Sequence, residues 1–249
     1  MLLDAPYMTR PRLAAARQLQ RAGRWDLALQ VLAAEPPDPA AAALRADILV
    51  DRHLWRLDRA AEAQQAVSEL ANDHSSSPLA AFLDAQLRYT RALFGTQFAL
   101  DPDPDDPLLA EQAFQQAAVD EPLRGWATFW LGVLADNLHH DQASAADRYA
   151  QALQLADSDH DQLLISYVVR HQGFHLLGSN HQQAVARLRR SLYLRAALGA
   201  RPHVAAALAT LADALPAGTE RDLLRDTATR LAGDLGLCWL LAMLRGDLT

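Results

Sequence analysis

The stretch WLGVLADNLHHDQASAADRYAQAL, residues 130–153, decides the fold of this chain. Its apolar residues recur at intervals of three and four, which is the period of an amphipathic α-helix and not that of a strand. The adjacent His139 and His140 indicate the end of a first helix, because imidazole groups interact favourably with the negative end of the helix dipole. The stretch therefore predicts two short helices joined by a loop.

The same spacing continues along nearly the whole chain, and alternating runs of β-branched residues are missing. Gly23 and Gly199 follow helical runs, where a residue that tolerates a left-handed conformation ends a helix. Ser77 and Asp106 each stand before a proline, which is typical of a capping side chain at the start of a helix. We therefore expect an all-α chain of about twelve helices.

Short amphipathic helices in pairs predict a stacked array. A single pair cannot bury its own apolar face, so successive pairs must pack on one another. Hydrophobic residues make up 51% of the chain, which is ample for such a core. We predict one domain over residues 1–249, an α-α superhelix or solenoid of about six helix pairs, with a stretched connector around 96–107 and a C-terminal capping helix around 236–246.

Residues 130–153 resemble a tetratricopeptide repeat. The matching residues are Leu131 and Gly132 on the first helix, and Ala145, Tyr149, Ala152 and Leu153 on the second. GRWDLALQVL, with Gly23, Trp25, Ala28 and Leu32, resembles the turn and second helix of the same repeat, and Leu57 and Ala60 look similar. The resemblance implies that the glycine turns the chain, the aromatic residue fills the gap between helices and the alanine permits their close approach.

The spacing of one alanine per repeat supports this resemblance. Ala28 and Ala60 are 32 residues apart, Ala113 and Ala145 are also 32 apart, and Ala145 and Ala184 are 39 apart. The family period is about 34 residues. The gap of 53 between Ala60 and Ala113 predicts one stretched pair.

Residues 178–215 are similar to the longer repeats appended to bacterial transcriptional regulators of the antibiotic-regulator and LuxR types. The matching residues are Gly178, Ala184, Leu188, Ser191, Leu192, Leu198, Gly199, Ala206 and Leu211. Those regulators carry DNA-binding and nucleotide-binding domains before their repeats, and this chain has no room for either. The resemblance therefore implies the binding module alone.

Composition excludes several kinds of chemistry and partner. All 23 cationic residues are Arg, so lysine-dependent Schiff bases, pyridoxal phosphate anchors and phosphate loops are excluded. The net charge of −7 argues against direct nucleic-acid binding, and we read the run Arg187, Arg189, Arg190 and Arg195 as solvated surface. The lone Cys238 excludes an internal disulfide and a cysteine-rich zinc site.

The expected location is the cytoplasm. The N-terminal MLLDAPYMTRPR interrupts its apolar residues with an acid, a proline and arginines, unlike a secretory signal. No stretch approaches the roughly 20 apolar residues that cross a bilayer. We therefore expect no membrane partner.

Two candidate metal sites are weak. The carboxylates of Asp101, Asp103, Asp105 and Asp106 suggest calcium, but the sixth position of an EF-hand loop should be Gly and the twelfth Glu, where this chain has Asp106 and Gln112. We interpret this segment as an acidic connector.

His171 and His175 have the i, i+4 spacing of a helical metal-binding pair, but the glutamate of HExxH is missing. GxSxG and a glycine-rich phosphate loop are absent as well. We predict no catalytic residue, metal or cofactor, and interpret both histidines as core or groove residues.

The concave face of the array is the best candidate site, because the first helix of each pair lines it. Aromatic side chains there supply buried area, and an Asn amide can both donate to and accept from a peptide unit. The candidate ligand-binding residues are Trp126, Phe129, Asp136, Asn137, Tyr167, Arg170, His171 and His175. The alternative for each aromatic residue is packing between helices.

We therefore expect a non-enzymatic cytoplasmic adaptor or sensor that holds a peptide or protein segment in its groove. One alternative is a small-molecule binder or metal-dependent enzyme that uses the groove histidines and acids. Another is a self-assembly module, possible as a homodimer, because GLCWLLAMLRG at 236–246 is apolar enough to cap the last pair or to form a subunit interface.

Overall fold

A computed structural model describes residues 10–36, 38–73 and 78–247. All regular elements within these ranges are α-helices, which confirms the all-α prediction. The helices are α1 (Pro11–Arg21), α2 (Trp25–Ala33), α3 (Pro39–Arg56), α4 (Ala60–Asp73), α5 (Pro78–Phe98), α6 (Asp106–Ala117), α7 (Arg124–Asn137), α8 (Gln142–Ser158), α9 (Gln162–Leu176), α10 (His181–Ala197), α11 (Arg201–Ala214), α12 (Thr219–Leu235) and α13 (Cys238–Arg245). The expected cap at Ser77 and the segment 1–9, on which the expectation of no signal rests, lie outside these ranges. Within them, no helix is both long enough and apolar enough to cross a bilayer.

The helices pack as six consecutive pairs, from α1 with α2 to α11 with α12, and α13 follows the last pair. Each pair also contacts the next pair, as a superhelix requires. The odd-numbered helices from α1 to α9 contact one another in order and form the inner layer. The predicted fold class is therefore confirmed.

Close helix approach depends on small residues. A Cβ atom placed on Gly132 of α7 would lie 2.8 Å from Cε1 of Tyr149 on α8, which is too close for any residue but glycine. A Cβ on Gly173 of α9 would lie 3.0 Å from Cδ2 of Leu188 on α10. Both contacts join the two helices of a pair, so these glycines set how closely the pair packs.

The repeat register differs from the predicted one at two positions. Ala60 is exposed because it is the first residue of α4, and Ala113 is only half-buried on α6. Each second helix of the first five pairs has at least one fully buried alanine, and the first of these in each helix is Ala28, Ala63, Ala110, Ala145 and Ala184. Their successive spacings are 35, 47, 35 and 39 residues. The stretched pair of the prediction remains, between Ala63 and Ala110.

The first and last parts of the chain meet, which the sequence patterns do not reveal. A single apolar core contains buried residues from α1, α2 and α3 together with residues from α11, α12 and α13. A Cβ on Gly23, whose φ is +72°, would lie 3.1 Å from Cδ2 of Leu235. The guanidinium Nε of Arg56 donates to the carbonyl of Leu235 at 2.9 Å. We call this contact between the two ends of the array the seam.

Trp239 of α13 lies at the inner edge of the seam. Its indole stacks on Trp55 and on Phe94, with ring centroids 5.5 and 5.8 Å away. Its Nε1 donates to the carbonyl of Leu54 at 3.1 Å. The apolar C-terminal segment therefore packs against other helices of the same chain, and the array forms a closed ring.

The acidic connector runs from the end of α5 at Phe98 to the start of α6 at Asp106. The predicted capping role of Asp106 is wrong: Asp105 holds the N-cap position, and no side-chain capping bond forms. The Asp106 carboxylate is instead fully buried and accepts hydrogen bonds from Arg88 at 3.3 Å and from Arg91 at 2.7 and 2.9 Å. This charge needs its two partners because water cannot reach it.

Asp106→Ala should lower the free energy of unfolding by about 3 kcal/mol, the low end for breaking a buried ion pair, because both guanidiniums retain some access to water. Urea denaturation followed by circular dichroism measures this change. Asp105→Ala is the matched control, since its exposed side chain makes no capping bond. Equal stability of the two variants would contradict the buried-pair assignment.

Trp239→Ala should lower the free energy of unfolding by about 2 kcal/mol, less than for a fully buried tryptophan because Trp239 is half-buried. Hydrogen exchange should accelerate in both α13 and α3, because the variant opens the seam. Tyr193→Ala, at a side chain that is 72% exposed, should change neither quantity. Faster exchange restricted to α13 would show that the seam does not hold the ring closed.

Candidate functional site

The inner helices surround a cavity of about 500 Å³, which we call the inner cavity. Its aromatic lining residues are Trp55, Tyr89, Phe94, Phe129, Trp130, Tyr167, Phe174 and Trp239. Its polar lining residues are Asp136, Asn137, Gln142, Arg170, His171, His175, Arg195 and His203. A space of this size whose lining combines aromatic rings with convergent polar groups is typical of a ligand site.

A second cavity of about 110 Å³ lies on the other side of the ring. Four side chains line both cavities and therefore form the floor between them: Leu54, Trp130, Tyr167 and His203. The Tyr167 hydroxyl is hydrogen-bonded to Nε2 of His203, which ties α9 to α11 across this floor. The inner cavity is thus bounded by these four side chains where it adjoins the second cavity, and by Trp55 and Trp239 at the seam.

Seven of the eight predicted ligand-binding residues line the inner cavity. The exception is Trp126, which lines the second cavity and donates from Nε1 to Asp161 at 3.0 Å. Phe129 is only 1% exposed and packs among the rings of Tyr149, Tyr167 and His171. Ligand binding by these residues stays a prediction, and Phe129 also has the packing role considered as its alternative.

Asn137 was expected to bind a peptide unit, and part of its amide already has a partner. Its Nδ2 donates to the hydroxyl of Tyr89 on α5 at 2.6 Å. Burial raises the pKa of Tyr89, so that hydroxyl keeps its proton at neutral pH. The bond joins α7 to α5 and holds the Asn137 side chain in one orientation.

Asp136 is the centre of a polar cluster at the cavity wall. Its carboxylate accepts hydrogen bonds from Nε2 of His175 at 3.0 Å and from the Tyr149 hydroxyl at 3.1 Å. The same hydroxyl lies 3.0 Å from Nδ1 of His171. The cluster connects α7, α8 and α9.

The electrostatics of this cluster assign its protons. Burial raises the pKa of the Asp136 carboxyl, but the neighbouring His171, His175 and Tyr149 outweigh burial and lower the pKa to about 2. The ionised carboxylate can only accept, so the Tyr149 hydroxyl donates to Asp136 and accepts from Nδ1–H of His171. Burial lowers the pKa of His171 to about 4, so its imidazole is neutral and its Nε2 carries no proton.

Sequence analysis missed Arg195, which was assigned to a solvated surface. That assignment is wrong for this residue, because its side chain is only 2% exposed and lines the inner cavity. Its Nε and Nη1 donate to the Ser166 hydroxyl and the His203 carbonyl at 3.3 and 3.1 Å. Arg195 lies on α10, an outer helix, and a groove lined by first helices alone would not include it.

Trp55 and Trp239 were missed as well, because they reach the cavity through the seam. The sequence shows a tryptophan in the apolar C-terminal segment. It does not show that Trp55 lies against this tryptophan across the ring. Among the described residues, no group of three or more His, Cys, Asp or Glu side chains is arranged to hold a metal ion.

His171 should titrate with a midpoint of about 4, which an NMR titration of its Cε1 proton would measure. Because the ordinary value is about 6.5, the unfolded chain binds this proton first as the pH falls. Stability should therefore decrease between pH 6.5 and 4, by at most about 1.4 kcal/mol per pH unit from this group.

His171→Gln assigns the NMR signal and should flatten the dependence of stability on pH in that window. A His171 midpoint near the ordinary value would contradict the buried, neutral imidazole and with it the proton assignment within the cluster.

No family model matches this sequence, and a search of curated proteins finds no match either.

Proposed function

We propose that this chain is a non-enzymatic binding module, a tetratricopeptide-type array that holds its ligand in the inner cavity. The observation that supports this function is the cavity itself: about 500 Å³, walled by the inner helices and lined by aromatic rings with convergent polar groups. The close packing of Gly132 against Tyr149 agrees with the tetratricopeptide resemblance.

Ring closure favours a compact ligand. An extended peptide needs a groove that is open at both ends, but here the seam joins the two ends of the array. A partner protein can therefore enter with only a few residues of a short segment. The cavity volume of about 500 Å³ lies within the range of pockets that hold small molecules.

The cavity offers little for covalent chemistry. Its described lining residues include no serine, threonine or cysteine, and the carboxylate and hydroxyl of the Asp136 cluster bond to each other. This composition favours holding a ligand over transforming it.

The self-assembly alternative relied on the apolar C-terminal segment. Leu237, Leu240 and Leu244 of that segment are buried within the chain, where they cap α12 and close the ring. The exposed, unpaired Cys238 is compatible with a reducing compartment such as the cytoplasm, which we propose as the location.

Ala206→Trp tests the cavity as the binding site. Ala206 lines the inner cavity, so an indole there should fill the space and weaken any cavity ligand by about tenfold or more. Ligands come from a thermal-shift screen of small organic acids, amines, neutral compounds and short peptides, and calorimetry measures their affinities for both proteins.

Ala150→Trp is the matched control, since Ala150 is exposed on the outer helix α8 and the substitution should leave affinity unchanged. Circular dichroism checks that both variants fold, and Leu93→Trp, at a half-buried side chain that lines the same cavity, replaces Ala206→Trp if that variant does not. If every ligand found binds Ala206→Trp as tightly as the wild type, the binding site lies elsewhere.

A further inference from the structure

Two arginines reach the inner cavity without a carboxylate partner. Arg195 uses neutral acceptors only, the Ser166 hydroxyl and the His203 carbonyl, and its guanidinium lies 4.9 Å from the centre of the Tyr167 ring. Arg170 donates twice to the Thr210 hydroxyl, at 2.8 and 3.1 Å. No described carboxylate lies within 4 Å of either guanidinium.

Apart from Arg195, the arginines that are buried in the described part of the chain have carboxylate partners. Arg52 is 5% exposed and donates to Asp58 at 2.8 Å, and Arg17 is 8% exposed and contacts Asp47. Burying a cation without an anion costs several kcal/mol, and a chain with 30 acidic residues does not lack partners. The buried Arg195 therefore departs from this pattern, and the half-buried Arg170, which lines the same cavity, has no carboxylate partner either.

Each guanidinium also keeps a free donor group. Nη1 of Arg170 and Nη2 of Arg195 make no hydrogen bond within the described part of the chain, while their other donors are held by Thr210, Ser166 and the backbone. These bonds fix the two side chains in place before any ligand arrives. Two fixed, charged donors are suited to the oxygen atoms of an acid group.

The charged residues that line the cavity also give it a net positive charge. The two guanidiniums face a single carboxylate among the described lining residues, that of Asp136, and it already accepts from His175 and Tyr149. Burial and then the charge of Arg170 lower the pKa of Arg195 to about 9, and burial lowers that of Arg170 to about 10. Both groups stay cationic at neutral pH.

We propose that the inner cavity binds a compact organic anion, whose acid group lies between Arg170 and Arg195 and whose apolar body packs on the aromatic lining. This inference rests on the proposed function and names the ligand class for the same site. The partly exposed rings of Phe94 and Phe174 supply apolar surface for that body. The acid group supplies the anion that the two arginines lack.

The probes are four naphthalene derivatives with the same body: the 2-carboxylate, the 2-sulfonate, the 2-phosphate monoester and the neutral 2-carboxamide. Isothermal titration calorimetry measures each of them with the wild-type protein. At least one anion should bind about tenfold or more tightly than the amide, because hydrogen bonds to charged groups contribute about 1.5–3 kcal/mol.

Arg170→Gln and Arg195→Gln should each remove most of that preference and leave the affinity for the amide unchanged. Arg230→Gln, on the exposed face of α12, is the control and should change nothing. If the Arg195 variant does not fold, the Arg170 variant still decides the matter, because Arg170 is partly exposed and its removal leaves the core intact.

The inference is overturned if no anion binds more tightly than the amide, or if the Gln variants weaken the anions and the amide equally. The proposed function fails separately, when binding of these probes or of the screened ligands is the same in Ala206→Trp as in the wild type. Equal binding of amide and anions that is lost in Ala206→Trp would therefore disprove the anion preference and keep the cavity as the site.

Discussion

The contact between the first and last helix pairs is the constraint on which the rest of this structure depends. An array of helix pairs buries its internal faces by stacking, but it leaves one apolar face uncovered at each end. Here the two end faces cover each other, with Leu235 against Gly23 and Trp239 on Trp55. The same contact that completes the core also converts a concave surface into a walled cavity.

The helical period of the sequence predicted the features that depend on residues close together in the chain, such as the pairing of helices. The pairing of α7 with α8 followed from residues 130–153, where Gly132 meets Tyr149 across the pair. The seam joins residues far apart in the chain, such as Arg56 with Leu235 and Leu54 with Trp239. A helical period contains no information on the curvature of the whole array, so closure could not be predicted from it.

The candidate site was predictable to the same extent. Seven of the eight candidate residues lie on inner helices and line the cavity, because the inward positions of a helix follow from its period, and ligand binding by them stays a prediction. The helical period could not find Arg195, since an arginine on an outer helix has the same local pattern whether it points to water or to the interior. The error at Ala60 has a related cause: the start of α4 moved the buried position one turn along, to Ala63.

The cavity also carries groups that folding alone would not select. Nε1 of Trp130 and Nδ1 of His203 are buried without a hydrogen bond, and both side chains line the same cavity as the two unpaired guanidiniums. Each such group raises the free energy of the folded chain, whereas the Asp106 pair shows that this chain neutralises buried charge elsewhere. Because the surrounding helices hold these unsatisfied groups in place, the groups remain able to form hydrogen bonds with a ligand. An acid group in the cavity would therefore accept hydrogen bonds that no acceptor in the described part of the chain takes.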